Sequence, residues 1–395
     1  MKLPIYMDNQ STTPVDPRVL EAMIPYYQRE FGNAASRNHA FGGRARQAVE
    51  EARGRIARLI HASESGEIIF TSGATESNNL AIKGITEMYR ERGNHIITTT
   101  VEHKSVLDTC KFLETQGFDV TYLPVNHEGL INLGELRRAI TNKTILISIM
   151  YANNEIGVLE PIREIGEIAK EKRIFFHSDV VQAAGKISVD VQVLGIDLAS
   201  ISAHKIYGPK GIGALYVRKR NPRVRLAPLI HGGGHEEGLR SGTLNVPAIV
   251  GFGKAAEICE RETDQESKRI FELRERLRNG IIRELSDVHL NGSLEQRLPG
   301  NLNMSFAYVE GESLLSEICE EIAVSSGAAC TSATLEPSYV LKALGVGEGL
   351  THTSIRFGLG RFNTEEEVDY AIGRVVKVVK KLRASSPIYT PVAKN

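Results

Sequence analysis

Ser202-Ala203-His204-Lys205 ends an apolar run and is followed closely by Gly208-Pro209-Lys210-Gly211. A lysine at the end of a buried strand suits Schiff-base chemistry, because desolvation favours its neutral, nucleophilic amine. The stretch 174–182 gives a second strand end, carrying the carboxylate of Asp179 and the amide of Gln182. The stretch 71–79 joins a strand to a helix, where free backbone N–H groups at Ala74 and Thr75 and the positive helix end suit a phosphate. It matches neither the Walker A spacing nor the dinucleotide GxGxxG pattern. An amine, a carboxylate and a phosphate turn together suit pyridoxal phosphate (PLP), whose protonated pyridine nitrogen needs a carboxylate to serve as an electron sink. Gln182 is placed for the ring hydroxyl. His103 follows the strand at 95–99, where an imidazole can stack on a planar ring and move protons near neutral pH. Asn154, within 151–155, marks another strand edge of the same kind.

Each of these residues has a plainer reading when taken alone. Lysines are mostly solvated, Asp179 could cap the following turn, and a lone histidine is more often structural. Lys210 keeps the reading of a solvated loop lysine. The convergence of these groups on one rim of a sheet favours chemistry, since open α/β sheets bind ligands at the carboxyl ends of their strands. Cys330 stands apart, in a run of small residues, 325–334, with no bulky anchor. Such a run buries little apolar area and should be mobile, which suits a nucleophilic or carrier thiol; the alternative is a tolerated surface thiol. Cys110, Cys259 and Cys319 fall in helical segments and read as small hydrophobes.

Short apolar runs at 67–70, 95–99, 120–123, 144–150, 174–177, 197–202 and 213–217 are strand candidates separated by amphipathic stretches. In 45–60, for example, Ala45, Val49, Ala52, Ile56 and Leu59 recur at helical spacing. This alternation predicts an α/β fold with a seven-stranded, mostly parallel sheet between helices. After Pro247 a long charged helix runs to about residue 285. Short strands at 288–290, 301–306 and 353–358 follow, with helices at 312–320 and 365–383. The division expected is a large domain with an N-terminal arm over 1–258 and a smaller α+β domain over 259–395. The cysteine loop, about 325–336, belongs to the second.

The chain has 395 residues, and Lys+Arg and Asp+Glu both number 48, so no long-range field for nucleic acid or anionic membrane is expected. Neither a signal core nor a membrane span is visible, and the four scattered cysteines lack CxxC spacing. These features suggest a cytoplasmic protein without a disulfide framework or structural zinc.

From Asp8-Asn9-Gln10-Ser11-Thr12-Thr13-Pro14 to Phe357-Gly358-Leu359-Gly360-Arg361-Phe362, the chain closely resembles the NifS/IscS-type cysteine desulfurases. These form part of the class V aminotransferase group of fold-type I PLP enzymes. The most specific pieces are 71–79, 202–211, His231-Gly232-Gly233-Gly234-His235 with Arg240-Ser241-Gly242-Thr243, and 325–332. The longer cysteine loop, continuing to Tyr339, is similar to the IscS branch. The resemblance implies that Lys205 binds PLP as a Schiff base and moves protons. It implies that Ala74, Thr75, Ser202 and His204 hold the phosphate, with Thr243 from the partner subunit of a homodimer. Asp179 pairs with the ring nitrogen, Gln182 and Asn154 flank the ring oxygen, and His103 stacks on the ring. Arg356 forks onto the substrate carboxylate, a geometry that lysine could not reproduce. Cys330 takes sulfur from L-cysteine as a persulfide, leaving alanine. No metal is required, although Cys330 could transiently ligate an iron–sulfur cluster. The acceptors implied are an iron–sulfur scaffold of the IscU type and carriers for tRNA thiolation.

Ala34 stands where the family usually has proline, and Val180-Val181 replaces smaller or polar residues after Asp179. The sequence also lacks the longer tail that typical members use near their scaffold. Another fold-type I PLP enzyme, such as an aminotransferase or a selenocysteine lyase, would not need Cys330. A silent binding protein would be expected to have lost Lys205, Asp179, His103 or Cys330. A thiol protease would need triad logic that is absent around the loop.

Overall fold

The structure is a computed structural model in which residues 2–326, 337–387 and 389 are described. The N-terminal arm forms a short strand, β1 (Ile5–Tyr6). The main sheet is built from β2 (Ile68–Thr71), β3 (His95–Thr99), β4 (Asp119–Leu123) and β5 (Thr144–Ser148), then β6 (Phe175–Asp179), β7 (Leu198–Ser202) and β8 (Gly213–Val217). Its order is β2-β8-β7-β6-β5-β3-β4; β8 runs antiparallel to both neighbours, and the other pairs are parallel. This is the seven-stranded, mostly parallel sheet that the apolar runs predict.

The sheet is buried because alternate side chains feed two separate apolar layers. Ile68, Phe70, Ile97, Phe176, Ile201 and Tyr216 face one layer, which includes Ala45, Val49, Ala52 and Ile56 of the helix Ala40–Leu59. Ile69, Ile96, Leu146, Leu198 and Leu215 face the other, with Leu80, Ile82 and Ile85 of the helix Ala74–Met88. The edge strand β4 is the most exposed of the seven.

The long helix Val246–Glu284 connects two cores. Its first half sends Ile249, Phe252 and Ala256 into the large core; Gly253 is needed there, since a Cβ would lie 2.6 Å from Ala52. Its second half sends Ile270, Leu273, Leu277 and Ile281 into another core. That core contains β10 (Asn301–Phe306), flanked by β9 (Val288–Leu290) and β13 (Ser354–Gly358), and the helix Glu365–Ala384.

Three short strands were not anticipated from the sequence. They are β1, β11 (Ile322–Ala323) and β12 (Ser325–Ser326); β1 pairs with β11 in parallel, and β12 pairs with β13. Ile5 and Met7 thereby join the core of the C-terminal half. The arm then turns back, bonding Asn9 N–H to the Gly358 carbonyl at 3.0 Å and Thr13 N–H to the His204 carbonyl at 2.9 Å. One consequence is that residues 8–13 lie where β13 meets the carboxyl end of β7.

Candidate active site

The carboxyl ends of β6 and β7 and the turn after β2 open onto one cavity of about 560 Å³. Lys205, Asp179, His103 and Arg356 line it. So do Ala74, Thr75, Ser202, His204, Gln182 and Asn154. These are the sequence-predicted residues, brought together with two exceptions. Thr243 is exposed and lines a smaller pocket with Ser72 and Gly211. Cys330 lies outside the described residues, as do 327–336 generally. Of the other cysteines, Cys110 and Cys259 are buried as expected, but Cys319 is exposed at the end of its helix and is no core residue.

The helix Ala74–Met88 has Gly73 at its N-cap and no side-chain cap, and its first residues, Ala74 and Thr75, line the cavity. The close approach of β8 makes this turn possible. Gly213 has no side chain, and a Cβ there would lie 2.7 Å from the Gly73 Cα.

Asp179 is held on both oxygens. Asn78 Nδ2 donates to Oδ2 at 2.8 Å, and the Val181 N–H donates to Oδ1 at 3.0 Å. The other hydrogen of Asn78 Nδ2 goes to Ser105 Oγ at 2.8 Å, and that hydroxyl lies 2.8 Å from His103 Nδ1. The Ser105 N–H also donates to His103 Nδ1, at 3.1 Å. Nδ1 is therefore an acceptor, and the ring proton of neutral His103 sits on Nε2. Burial pushes the His103 pKa down, against the attraction of the Asp179 carboxylate, so the neutral ring is favoured.

Lys205 Nζ donates to the backbone carbonyl of Gln10 at 2.6 Å and to that of Ser11. The same Gln10 carbonyl accepts from Gln182 Nε2 at 2.9 Å, and Gln182 Oε1 accepts from Lys186 Nζ at 2.8 Å. Burial, helped by the charges of Lys205 and Arg356, lowers Lys186 to about 7. His204 is pushed down to about 4 by burial and by Lys205 and Lys210, and Thr12 Oγ1 lies 3.0 Å from its Nδ1. Arg356, almost fully buried, donates from Nη1 to the Asn154 carbonyl at 2.8 Å. Its Nη2 donates to Asp8 Oδ1 at 2.8 Å and to Ser11 Oγ at 2.7 Å.

Sequence reasoning overlooked Asn78, Ser105, Lys186 and the arm residues Asp8, Gln10, Ser11 and Thr12. Lys210, read as a solvated loop lysine, is exposed and also lines the cavity. A signal for Asn78 did exist. It sits on the apolar face of its helix with Ala81, Ile82 and Ile85, where an unpartnered amide would be costly. Val181, which follows Asp179 where the family has smaller or polar residues, is buried and forms part of the cavity wall.

As a whole the site offers a half-buried amine, a doubly held carboxylate, a neutral imidazole, an uncapped helix end and a buried guanidinium. It can bind a phosphorylated aromatic cofactor and a small carboxylic acid side by side.

The chain is similar to known proteins over nearly its whole length. The family model "Aminotransferase class-V" matches residues 5–371. "Cysteine desulfurase IscS" of Rickettsia rickettsii (strain Iowa) is 59% identical over 389 residues, covering 98% of this chain and 94% of the relative. A solved "NifS-like protein" superposes with a TM-score of 0.89 at 41% identity, over 96% of this chain and 100% of its own. The structure "SspA in complex with cysteine" gives 0.80 at 41% identity, over 91% and 100%. The chain belongs to the class-V aminotransferase family.

Proposed function

We propose that this chain moves sulfur from L-cysteine to Cys330 as a persulfide and then passes it to an acceptor. The activity is that of a PLP-dependent cysteine desulfurase. The observation carrying this reading is the arrangement of Lys205, Asp179 and Arg356 around one cavity beside an uncapped helix end.

The residues present fit PLP. The open amides of Ala74 and Thr75, with Ser202 and His204, would hold the phosphate. Thr243, exposed and outside the main cavity, would come from the partner subunit of a homodimer. Asp179 would face the ring nitrogen, Gln182 and Asn154 the ring oxygen, and His103 the ring face. When bound, PLP supplies the electron sink that weakens bonds at the substrate's α- and β-carbons.

The protein's own groups supply the rest. Lys205 Nζ, beside the Gln10 carbonyl, takes and returns protons at the substrate carbon. Neutral His103 presents Nε2–H to the cavity side of the same system. Arg356 orients the substrate carboxylate. The Cys330 thiolate attacks the substrate sulfur, forming an S–S bond as the Cβ–S bond breaks. The electron pair of the broken bond stays on carbon, which takes a proton to give alanine.

The acceptor proposed is an iron–sulfur scaffold of the IscU type, with carriers for tRNA thiolation as further recipients, and the compartment proposed is the cytoplasm. Among the described residues no helix is long and apolar enough to cross a membrane. The division proposed is 1–258 and 259–395, bridged by the helix Val246–Glu284, with the arm residues Ile5 and Met7 crossing it to join the second core. Alanine release from L-cysteine tests the assignment. Wild-type protein with PLP should release alanine and Lys205→Ala should not; equal release by both would overturn it.

A further inference from the structure

Arg356 already has a carboxylate partner inside the protein. Asp8 Oδ1 accepts from Arg356 Nη2 at 2.8 Å, and the same oxygen accepts from Ser325 Oγ at 2.8 Å. Arg356 lines the cavity, whereas Asp8 is not among the lining residues. The side chains are 3% and 17% exposed, so this is a sheltered pair that salt screens poorly. Arg356 Nε has no partner among the described residues.

We propose that Asp8 is a resident counter-ion that sets the affinity of Arg356 for the substrate's carboxylate. This rests on the reading of Arg356 as the carboxylate site. A guanidinium can serve two carboxylates, but the first partly neutralises it and repels the second. Asp8 does not leave when substrate arrives, because Ser325, opposite Arg356 in the β12–β13 pairing, holds the same oxygen. Arg356 does not depend on Asp8 for its position, since Ser11 Oγ and the Asn154 carbonyl also bind it. Removing the Asp8 charge therefore leaves a placed, buried cation whose nearest other carboxyl, Glu155, is held toward its neutral form by burial, and an incoming carboxylate becomes its counter-ion. Asp8 thus keeps substrate affinity moderate and weakens the hold on any carboxylic acid, alanine included.

The test uses holoenzyme and two probes that divide cysteine: 3-mercaptopropionate, which keeps the carboxylate, and cysteamine, which lacks it. In Asp8→Asn, calorimetry should find 3-mercaptopropionate binding about fivefold to tenfold tighter and cysteamine unchanged. Asp8→Glu should restore wild-type selectivity. If Asp8→Asn does not fold, Ser325→Ala gives the same sign: Asp8 loses its second hold, an incoming carboxylate can displace it from Arg356, and 3-mercaptopropionate should bind about two- to threefold tighter. Equal shifts for both probes, or weaker carboxylate binding by Asp8→Asn, overturn the proposal. Arg356→Lys keeps the two readings apart. Loss of carboxylate selectivity there with none gained in Asp8→Asn rejects Asp8 alone, whereas selectivity retained in Arg356→Lys rejects Arg356 as the carboxylate site.

Discussion

Asn78 and Asp179 are joined by a 2.8 Å hydrogen bond between a helix-borne amide and a strand-end carboxylate. The second hydrogen of that amide reaches Ser105, and through it the acceptor nitrogen of His103. A single buried side chain therefore orients both the carboxylate and the imidazole of the site. Asn78→Ala should remove a charge-assisted bond worth about 1.5–3 kcal/mol and leave Asp179 held only by the Val181 N–H. We expect PLP to bind at least about tenfold more weakly, read by titrating cofactor absorbance. Unchanged affinity would mean that Asp179 does not need this support.

Arg356→Lys keeps the charge and loses the planar fork. The KM for L-cysteine should rise about tenfold or more while cofactor content stays at wild-type level. A fall in cofactor content with unchanged KM would place Arg356 in cofactor binding.

His177 lies two residues before Asp179 and plays a different part. It is fully buried between Ser148 and Ser200, and burial pushes its pKa from 6.5 down to about 3. The unfolded chain takes up this proton as pH falls through 6.5, and the folded chain does not until about 3. Its contribution therefore lowers stability as pH falls across that window, by about 1.4 kcal/mol per pH unit. Between about pH 7 and about pH 5, wild type should lose about 2 kcal/mol more than His177→Gln in urea unfolding. Equal losses would show that His177 is protonated in the fold.

Arg53 and Glu236 form a buried two-point pair, with both contacts at 2.8 Å, and Glu236 Oε2 also accepts the Phe70 N–H at 2.7 Å. The pair ties the segment leading toward Thr243 to β2. Glu236→Ala leaves the Phe70 amide unpaired and Arg53 with only the Ile68 carbonyl and the exposed Glu50, and should cost about 3 kcal/mol. Chemical denaturation measures this, and a loss below about 1 kcal/mol would show that the site admits water.

The sheet and the principal side chains were legible because each depends on local pattern. Apolar runs at 95–99 or 213–217 form strands wherever both faces are covered, and Lys205 and Asp179 stand at the ends of such runs. The strands β1, β11 and β12 have two residues each, too few for a period, and exist only through pairing across the chain. Asp8, Ser105 and Lys186 escaped for a related reason. Each is an ordinary polar residue locally, and its role comes from partners such as Arg356, Asn78 and Gln182 that the fold supplies.

The central claim is that Cys330 receives the sulfur. Holoenzyme should be given L-cysteine, quenched with an alkylating agent, digested and examined by mass spectrometry. One added sulfur is expected on the Cys330 peptide and none on the peptides of Cys110, Cys259 or Cys319. Cys330→Ala should keep the yellow cofactor but release no alanine. Wild-type alanine release with no sulfur on Cys330 would contradict it.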